Sequence, residues 1–233
     1  GEWLSQSEEL EGGVTDFPKA CLWPDMVKHS TRRDTYKHHF INVPDDASTV
    51  SFKRDCSATP CIATGIEQAL KDLSHNPEDL AGITRRAAAL RFLGHYIADL
   101  HQPLHVGNAS DWGGNKIKVS WRGKETNLHA LWDYEMIETV GLKHPTSMNY
   151  LAIADQELEG KVIEDWFNES LLLARNIVYQ DLKGNALTSG DTISEAYFNR
   201  SKPIIIERIK IAAARLAYLL NEIAEGEQIV IYK

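Results

Sequence analysis

The amino-acid sequence predicts a mainly α-helical protein that contains one short β-hairpin. Apolar residues recur at helical spacing over several long segments, whereas only one short stretch alternates polar and apolar residues as a strand does. The 233 residues contain no internal repeat and no linker-like segment, and this length suits one large domain. We therefore expect residues 1–233 to form a single helical domain.

The first predicted helices lie in the N-terminal half of the chain. Residues 62–74 have the pattern of an amphipathic helix. Asn76 followed by Pro77 is a good helix start, and the next helix should run to about His101, because Pro103 ends it. Its apolar residues recur at helical spacing: Leu80, Ile83, Ala87, Leu90, Leu93, Ile97 and Leu100.

The predicted hairpin lies in the middle of the chain. Residues 115–121 alternate polar and apolar side chains and precede a turn at Arg122-Gly123-Lys124, which favours a β-hairpin. The segment from Leu128 to Val140 is expected to be helical and to end at Gly141.

The C-terminal third is predicted to be two long helices joined by a loop. The first runs from about Val162 to Tyr179, the loop covers residues 180–192, and the second spans about Ile193 to Glu225. Pro203 should bend or break the second helix. The residues of this region and of the middle of the chain that we expect in the core are Trp112, Trp132, Trp166, Phe167, Ile209, Ala212, Ala213, Leu216, Leu219 and Leu220.

Composition narrows the possible functions. The formal net charge of −8 argues against a basic groove that binds nucleic acid on its own. It leaves a phosphate substrate possible, because bound divalent cations would concentrate positive charge at one place. No segment approaches the roughly 20 apolar residues of a membrane span. The first residues do not resemble a signal peptide, so an export segment would already have been removed.

The three cysteines suggest one disulfide bond. Cys56 and Cys61 flank a Pro turn and could close a small loop, which would imply an oxidising compartment. The alternative is that these are two unrelated thiols. Cys21 has no obvious partner in this pattern.

Histidine and aspartate residues recur in a spacing that suits metal binding: His95 with Asp99, His129 with Asp133, and His105 between the two pairs. On a helix, this spacing places imidazole and carboxylate on one face, one turn apart. Such a pair alone could be a surface ion pair. The first pair, however, lies within an apolar helix, and imidazole and carboxylate together suit Zn²⁺. So many ligands favour several ions, an arrangement typical of enzymes that cleave phosphate esters.

Two sequence blocks, residues 92–107 and 127–133, contain these residues, and four further blocks accompany them: Leu22-Trp23-Pro24-Asp25, His39-Phe40-Ile41, Asp111-Trp112-Gly113-Gly114-Asn115 and residues 214–221. In chain order, the six blocks resemble the S1/P1 nuclease family of zinc-dependent, mostly helical enzymes that cleave single-stranded nucleic acids. The resemblance covers nearly the whole chain. It implies a fold like that of phospholipase C and P1 nuclease.

The resemblance implies three zinc sites. One ion would be held by Asp25, His39, His95 and Asp99, and a second by His105, His129 and Asp133. A third would share Asp99 and take the amino group and carbonyl of an N-terminal Trp plus a nearby His. Gly1-Glu2-Trp3-Leu4 does not supply that pair, so we expect this chain to lack the family's N-terminal segment. The alternative is a protein that works without the third ion.

The resemblance also assigns roles near the substrate. Phe40 would stack on a nucleobase, and Asn42 stands where the family often has Asp, which would alter base preference. Lys28 stands where Arg is common and would offset phosphate charge, while Asp25 would orient the attacking water. The other histidines are expected to take no part in metal binding: His38 as a solvated or packing residue, His101 as a non-ligand, and His29, His75 and His144 at the surface.

The function that follows is a secreted or periplasmic zinc phosphodiesterase. It would hydrolyse single-stranded DNA and RNA to 5′-nucleotides, with 3′-nucleotidase activity as a further expectation, and act as a monomer without a membrane partner. Two alternatives remain. A zinc phospholipase C of the same fold would have a choline-accepting pocket in place of the base-stacking one. A non-catalytic, metal-binding helical protein would show no turnover.

Overall fold

The computed structural model describes residues 17–74, 80–141 and 162–227, together with residues 229 and 231. This part of the chain is mainly helical, which confirms the predicted fold class. Its α-helices are α1 Phe17–Ala20, α2 Trp23–Val27, α3 Phe52–Asp55, α4 Ile62–Ser74, α5 Leu80–His101, α6 Leu128–Ala130, α7 Met136–Val140, α8 Ile163–Leu173 and α9 Glu195–Glu225. Two 3₁₀ helices, Arg33–His39 and Pro103–His105, and two π-helical turns, Leu131–Glu135 and Ala174–Val178, lie between them. Within these ranges, every helix is too short or too polar to cross a membrane.

In the described part of the chain, five short strands form two small sheets. The predicted hairpin is confirmed as β3 Lys118–Trp121 paired antiparallel with β4 Lys124–Asn127. Strand β5, Thr192–Ile193, adds to β3 in parallel, so the predicted loop ends in a strand. The sequence analysis missed the second sheet, in which β1 Ile41–Val43 pairs in parallel with β2 Val106–Asn108. Three-residue strands contain too few residues to show an alternating pattern.

Most predicted helices are found at the expected positions. Helix α4 has the predicted bounds, and α5 ends at His101 as expected. The predicted start of α5 at Asn76 and Pro77 lies outside the described residues. The helix predicted from Leu128 consists of α6, a π-helical turn and α7, and it ends at Gly141, whose φ of 82° is left-handed.

The last helix departs from the prediction at its start. It begins at Glu195, not Ile193, because the Ser194 side chain accepts a hydrogen bond from Tyr197 N and caps the helix there. It also continues through Pro203, so the helix is not broken there. Proline removes one helical hydrogen bond. Buried Ser201 and Ile205 pack the helix on either side of Pro203, which offsets this loss.

The core of the described ranges forms two apolar clusters. The larger lies between α4, α5 and α8 and includes Trp166 and Phe167, both fully buried as predicted. The smaller surrounds Trp132, which is 2% exposed and confirms its expected core position. Helix α5 contributes its apolar face to the larger cluster, so its remaining face can present polar side chains elsewhere.

One core prediction was wrong, and another is confirmed only in part. Trp112 is 61% exposed, because it lies in a tight turn with a left-handed φ of 57° that points its ring outward. The apolar stripe of α9 is only partly core: Ala212 and Leu219 are buried, whereas Ala213 is exposed and Leu216 is half-buried. The last two residues line the cleft described below.

Candidate metal centre

A cleft of about 1420 Å³ opens beside the C-terminal half of α5. Its walls come from α2, the first 3₁₀ helix, the turn after α5, the hairpin region and α9. The cleft brings together all ten residues that the sequence analysis places in metal, catalytic or substrate-binding positions: Asp25, Lys28, His39, Phe40, Asn42, His95, Asp99, His105, His129 and Asp133.

The first ligand group consists of Asp25, His39 and His95, whose nearest ligand atoms all lie within 4.8 Å of one another. His39 Nδ1 and His95 Nε2 are 3.0 Å apart. Asp25 Oδ1 lies 3.5 Å from the first atom and 3.4 Å from the second. Both histidines are buried, whereas half of the Asp25 side chain is exposed, so this group opens towards solvent on one side.

The second ligand group consists of His105, His129 and Asp133. His105 Nε2 lies 3.2 Å from Asp133 Oδ1, and His129 Nε2 lies 3.9 Å from Asp133 Oδ2. The two imidazole rings are nearly parallel, with centroids 5.0 Å apart. Asp133 lies in the π-helical turn that follows His129, and such turns often occur at functional sites.

Asp99 stands between the two groups. Its Oδ2 lies 3.0 Å from His39 Nδ1 and 3.1 Å from His95 Nε2, and its Oδ1 lies 3.5 Å from His105 Nδ1. Since the carboxylate is only 12% exposed, these imidazoles are its main polar surroundings. One carboxylate therefore contacts both groups.

Backbone carbonyls fix the orientation of three imidazoles. The Nδ1–H of His95 donates to Cys21 O at 2.7 Å, and that of His105 donates to His39 O at 2.7 Å. The Nδ1–H of His129 donates to Gly113 O at 2.8 Å. In the neutral ring, each bond leaves Nε2 as the acceptor atom that faces the carboxylates, which is the usual arrangement of metal-binding histidines.

The turn that receives His129 requires glycine. Gly113 has a φ of 61°, and a Cβ at this position would clash with the carbonyl oxygen of Leu104. The same turn is fixed by Asp111, which accepts from Gly114 N at 2.7 Å and from the Tyr179 hydroxyl at 2.9 Å. The hydrogen-bond acceptor of His129 is thus held by a rigid turn.

The charges of the two groups are strongly coupled. Burial opposes the charged form of His95, but Asp99 and Asp25 outweigh it and raise the pKa of His95 to about 10. Burial likewise opposes the charged form of His105, yet Asp99 and Asp133 raise its pKa to about 9. Burial also disfavours the ionised form of Asp99, but the neighbouring histidines hold its pKa well below the usual range. Acidic and basic groups here stabilise each other's charged forms.

The donor set fits divalent zinc. Zn–N bonds of about 2.0 Å at tetrahedral angles place neighbouring ligand atoms about 3.3 Å apart. The ligand nitrogens of His39 and His95 lie 3.0 Å from each other and 3.0–3.5 Å from the nearest carboxylate oxygens of Asp25 and Asp99. Nitrogen and carboxylate oxygen are the atoms that zinc takes where thiolates are absent. The start of the chain, which does not supply the pair expected for a third site, lies outside the described ranges.

Side chains from α8 and α9 hold the end of α5, next to Asp99. Ser170 Oγ donates to Leu100 O at 2.6 Å, and Arg208 Nε donates to His101 O at 3.2 Å. The His101 ring donates from Nδ1 to Ile97 O, while its Nε2 accepts from Arg215 Nη1 at 2.9 Å. His101 therefore belongs to this buried network and lies outside both ligand groups.

The predicted substrate residues lie at the edge of the ligand groups. Lys28 Nζ is 2.5 Å from Asp25 Oδ1. Phe40 and Asn42 are half-buried and line the same cleft. His38, expected to be solvated or packed, is half-buried with its ring edge-on to Tyr96.

Sequence reasoning missed several cleft residues. Gln102 caps the turn after α5 by accepting from Leu104 N, and its Nε2 lies 3.4 Å from Asp133 Oδ1. Trp112 was assigned to the core, but it lines the cleft, with Lys116 Nζ 4.1 Å from its ring centroid. Its place between Asp111 and two glycines is a turn signal that could have indicated exposure.

The predicted disulfide is present between Cys56 and Cys61. It precedes α4, whose first amide, Ile62 N, donates to Phe40 O at 3.0 Å. Cys21 is a free thiol, and burial raises the pKa of that thiol to about 11.

Comparison with known proteins agrees with this geometry. The family model described as S1/P1 Nuclease matches residues 4–225. Endonuclease 1 of Arabidopsis thaliana is 32% identical, over 92% of this chain and 77% of its own length. Endonuclease 3 of the same plant is 33% identical, over 94% and 80%. Nuclease S1 of Aspergillus oryzae is 29% identical, over 88% and 78%. Similarity along almost the whole chain, together with the clustered ligands, shows that this protein belongs to the S1/P1 nuclease family.

Proposed function

We propose that this protein is a zinc-dependent endonuclease that hydrolyses single-stranded DNA and RNA to 5′-nucleotides. The observation that carries the proposal is the position of Asp99, which contacts both ligand groups in one open cleft. Adjacent metal sites suit phosphodiester hydrolysis, because they can act on the attacking and the departing oxygen. Membership of the S1/P1 nuclease family supports the same reaction.

Each ligand group would bind one zinc ion. Asp25, His39, His95 and Asp99 would hold one zinc ion, and His105, His129 and Asp133 a second. The proposal includes a third ion that would share Asp99, whose other ligands Gly1-Glu2-Trp3-Leu4 does not supply. Bound zinc supplies Lewis acidity, which makes water a nucleophile near neutral pH and offsets phosphate charge.

The remaining cleft residues would bind and orient the substrate. Asp25 is half exposed and would accept a hydrogen bond from the attacking water. Lys28 lies next to it and would pair with a phosphate oxygen as a point charge. Phe40 would stack on a base, and the Asn42 amide would bond to its edge. A base reaches Phe40 only by leaving its own stack, which favours single strands.

We further propose that the protein works outside the reducing cytoplasm, in a secreted or periplasmic location. The disulfide between Cys56 and Cys61 supports this, since such bonds persist mainly in oxidising compartments. The proposal also includes a monomeric enzyme. It further includes 3′-nucleotidase activity, because a terminal 3′-phosphate presents the same ester to the cleft.

The test compares four substrates with the purified protein: denatured DNA, RNA, duplex DNA and phosphatidylcholine vesicles. We expect rapid hydrolysis of the first two, slow hydrolysis of the duplex and none of the lipid. Excess chelator should abolish turnover, and added zinc should restore it. Full activity in chelator would contradict zinc dependence, while preferential hydrolysis of the lipid would replace the nuclease with a phospholipase.

A further inference from the structure

A basic segment, residues 28–37, contributes two lysines, Lys28 and Lys37, to one wall of the cleft, while its two arginines lie outside the cleft lining. Residues 28–37 contain four basic side chains, Lys28, Arg32, Arg33 and Lys37, and one acidic side chain, Asp34. The formal charge of these ten residues is therefore 4 − 1 = +3, without histidine, in a chain whose formal net charge is −8. Such a local reversal of charge is typical of a surface that contacts phosphates.

Aromatic rings follow one another along the same wall. The His29 and Tyr36 ring centroids lie 5.3 Å apart, and those of Tyr36 and Phe40 lie 6.1 Å apart. Lys37 Nζ lies 5.4 Å from the Phe40 ring and 5.9 Å from the Tyr36 ring. All four side chains line the cleft that contains the ligand groups.

Packing does not account for Tyr36 and Lys37. Tyr36 is 43% exposed, although large aromatic side chains usually bury most of their surface. Among the described residues, no carboxylate pairs with Lys37, whereas Arg32 pairs with Asp34 at 2.9 Å and also covers the Phe92 ring. Tyr36 and Lys37 thus present an aromatic face and a cation to the cleft.

We propose that Tyr36 and Lys37 form a second nucleotide subsite, next to Phe40, for the part of a single strand that leaves the metal centre. A base would stack on Tyr36, and Lys37 would neutralise the phosphate between that nucleotide and the one on Phe40. This inference rests on the proposed nuclease function and extends it to longer substrates. It predicts that the enzyme prefers oligonucleotides to dinucleotides.

The geometry of the two rings explains why this subsite takes single strands. The Tyr36 and Phe40 planes are inclined by 85°, and their centroids are 6.1 Å apart. Neighbouring bases within a duplex are parallel and rise by about 3.4 Å. Bases that lie on both rings must therefore unstack from each other. A flexible single strand can do this at little cost, whereas a duplex would first have to open.

The experiment measures kcat and KM for two substrates, the dinucleotide TpT and a single-stranded thymidylate decamer. Tyr36→Ala should lower the ratio of kcat/KM for the decamer to that for TpT by about 10-fold, mainly through KM, because stacking contributes this much per base. Tyr36→Phe keeps the ring and should retain most of the ratio. Thermal unfolding of each variant checks that the fold is intact.

A second variant tests the cation independently. Lys37→Gln should reduce the salt dependence of KM for the decamer, by about 0.7 in the slope of log KM against log salt concentration. Lys183→Gln makes the same charge change at an exposed position that does not line the cleft and should leave the slope unchanged. Equal slopes for both variants would overturn the proposed phosphate contact.

The outcomes separate this inference from the nuclease proposal. If the wild-type protein cleaves neither substrate, the proposed function fails. If it cleaves both and neither Tyr36→Ala nor Lys37→Gln changes the decamer values relative to TpT, the second subsite is wrong and the nuclease remains. An equal loss of the decamer-to-TpT ratio in Tyr36→Ala and Tyr36→Phe would also contradict stacking, because the second variant keeps the ring.

Discussion

The orientation of single imidazole rings decides what this cleft can bind. His95, His105 and His129 each donate Nδ1–H to a backbone carbonyl, from Cys21, His39 and Gly113 respectively. These acceptors belong to three separate segments of the chain, so the folded backbone sets the tautomer of each ring. A histidine held in this way offers Nε2 to a cation without first having to reorient.

His129 provides the sharpest test at this scale. His129→Ala removes one nitrogen ligand from the second group, and we expect turnover of denatured DNA to fall by more than about 100-fold. The melting temperature of the zinc-free protein should change little, because the ring is not part of the apolar core.

The matched control for His129→Ala is His38→Gln. His38 is a neighbour of a proposed ligand in sequence, but its ring packs edge-on against Tyr96 and belongs to neither ligand group. The His38→Gln variant should keep most of the wild-type turnover of denatured DNA. Equal activity of the two variants would remove His129 from the site.

The coupled pKa values predict how pH acts on the zinc-free protein. The pKa of His95 is raised to about 10 and that of His105 to about 9, so each gives stability that is complete below its unfolded value of about 6.5. That stability is lost as pH rises through the folded values. We expect the melting temperature in chelator to fall between about pH 7 and pH 10. A rise over that range would contradict the coupling.

The same protons link pH to metal binding. Zinc needs neutral imidazole, so its binding at neutral pH must displace the protons held by His95 and His105. Zinc affinity should therefore increase with pH, and calorimetry in buffers of different ionisation enthalpy should detect proton release. Binding without proton release would show that these two imidazoles are not ligands.

At the scale of elements, the end of α5 is the part of the fold that the site depends on most. Ser170 from α8 and Arg208 from α9 bond to the Leu100 and His101 carbonyls, which have no partner within their own helix turn. The guanidinium groups of Arg208 and Arg215 share the carboxylate of Glu169. Three helices are thereby joined beside Asp99.

Removal of the shared carboxylate should loosen this junction. Glu169→Gln leaves the buried guanidinium groups of Arg208 and Arg215 without their counter-charge, and we expect the free energy of unfolding to fall by about 1–3 kcal/mol. Chemical denaturation measures this change. Glu195→Gln breaks an exposed pair with Arg122 and should have almost no effect. Similar losses for both variants would mean that burial of the network contributes little.

Particular residues show how far the sequence alone could predict the site. The pairs His95 with Asp99 and His129 with Asp133 were found because one helical turn relates their members, a relation that spacing alone reveals. Asp25 and His39 lie on short elements far away in sequence, so only the family resemblance assigned them. Their approach to α5 depends on tertiary packing, which local patterns do not contain.

The errors have equally local causes. Trp112 was placed in the core because tryptophan is usually well buried. Its left-handed backbone conformation, however, points the ring outward. Strands β1 and β2 were missed because three residues give no period, and their parallel pairing joins segments about 65 residues apart. Tyr36 and Lys37 could have been found from the aromatic within a basic run, which is a recognisable nucleic-acid signal.

At the scale of the whole molecule, charge is the feature that needs explanation. A chain of net charge −8 repels nucleic acid unless positive charge is concentrated where the substrate binds. Two sources of positive charge meet in the cleft: the cations that the ligand groups would hold, and Lys28 and Lys37 of the basic segment. The acidic remainder of the surface would then favour release of the nucleotide products and solubility of the protein. Attraction of nucleic acid would be confined to the cleft.

The central claim is that the two ligand groups hold zinc side by side. The most direct measurement is anomalous scattering at the zinc edge from crystals of the protein grown with zinc. We predict one peak bonded to Asp25, His39, His95 and Asp99 and a second bonded to His105, His129 and Asp133, at about 2.0–2.2 Å from the ligand atoms. Zinc bound only outside the cleft, or a cleft that stays empty at saturating zinc, would contradict the account.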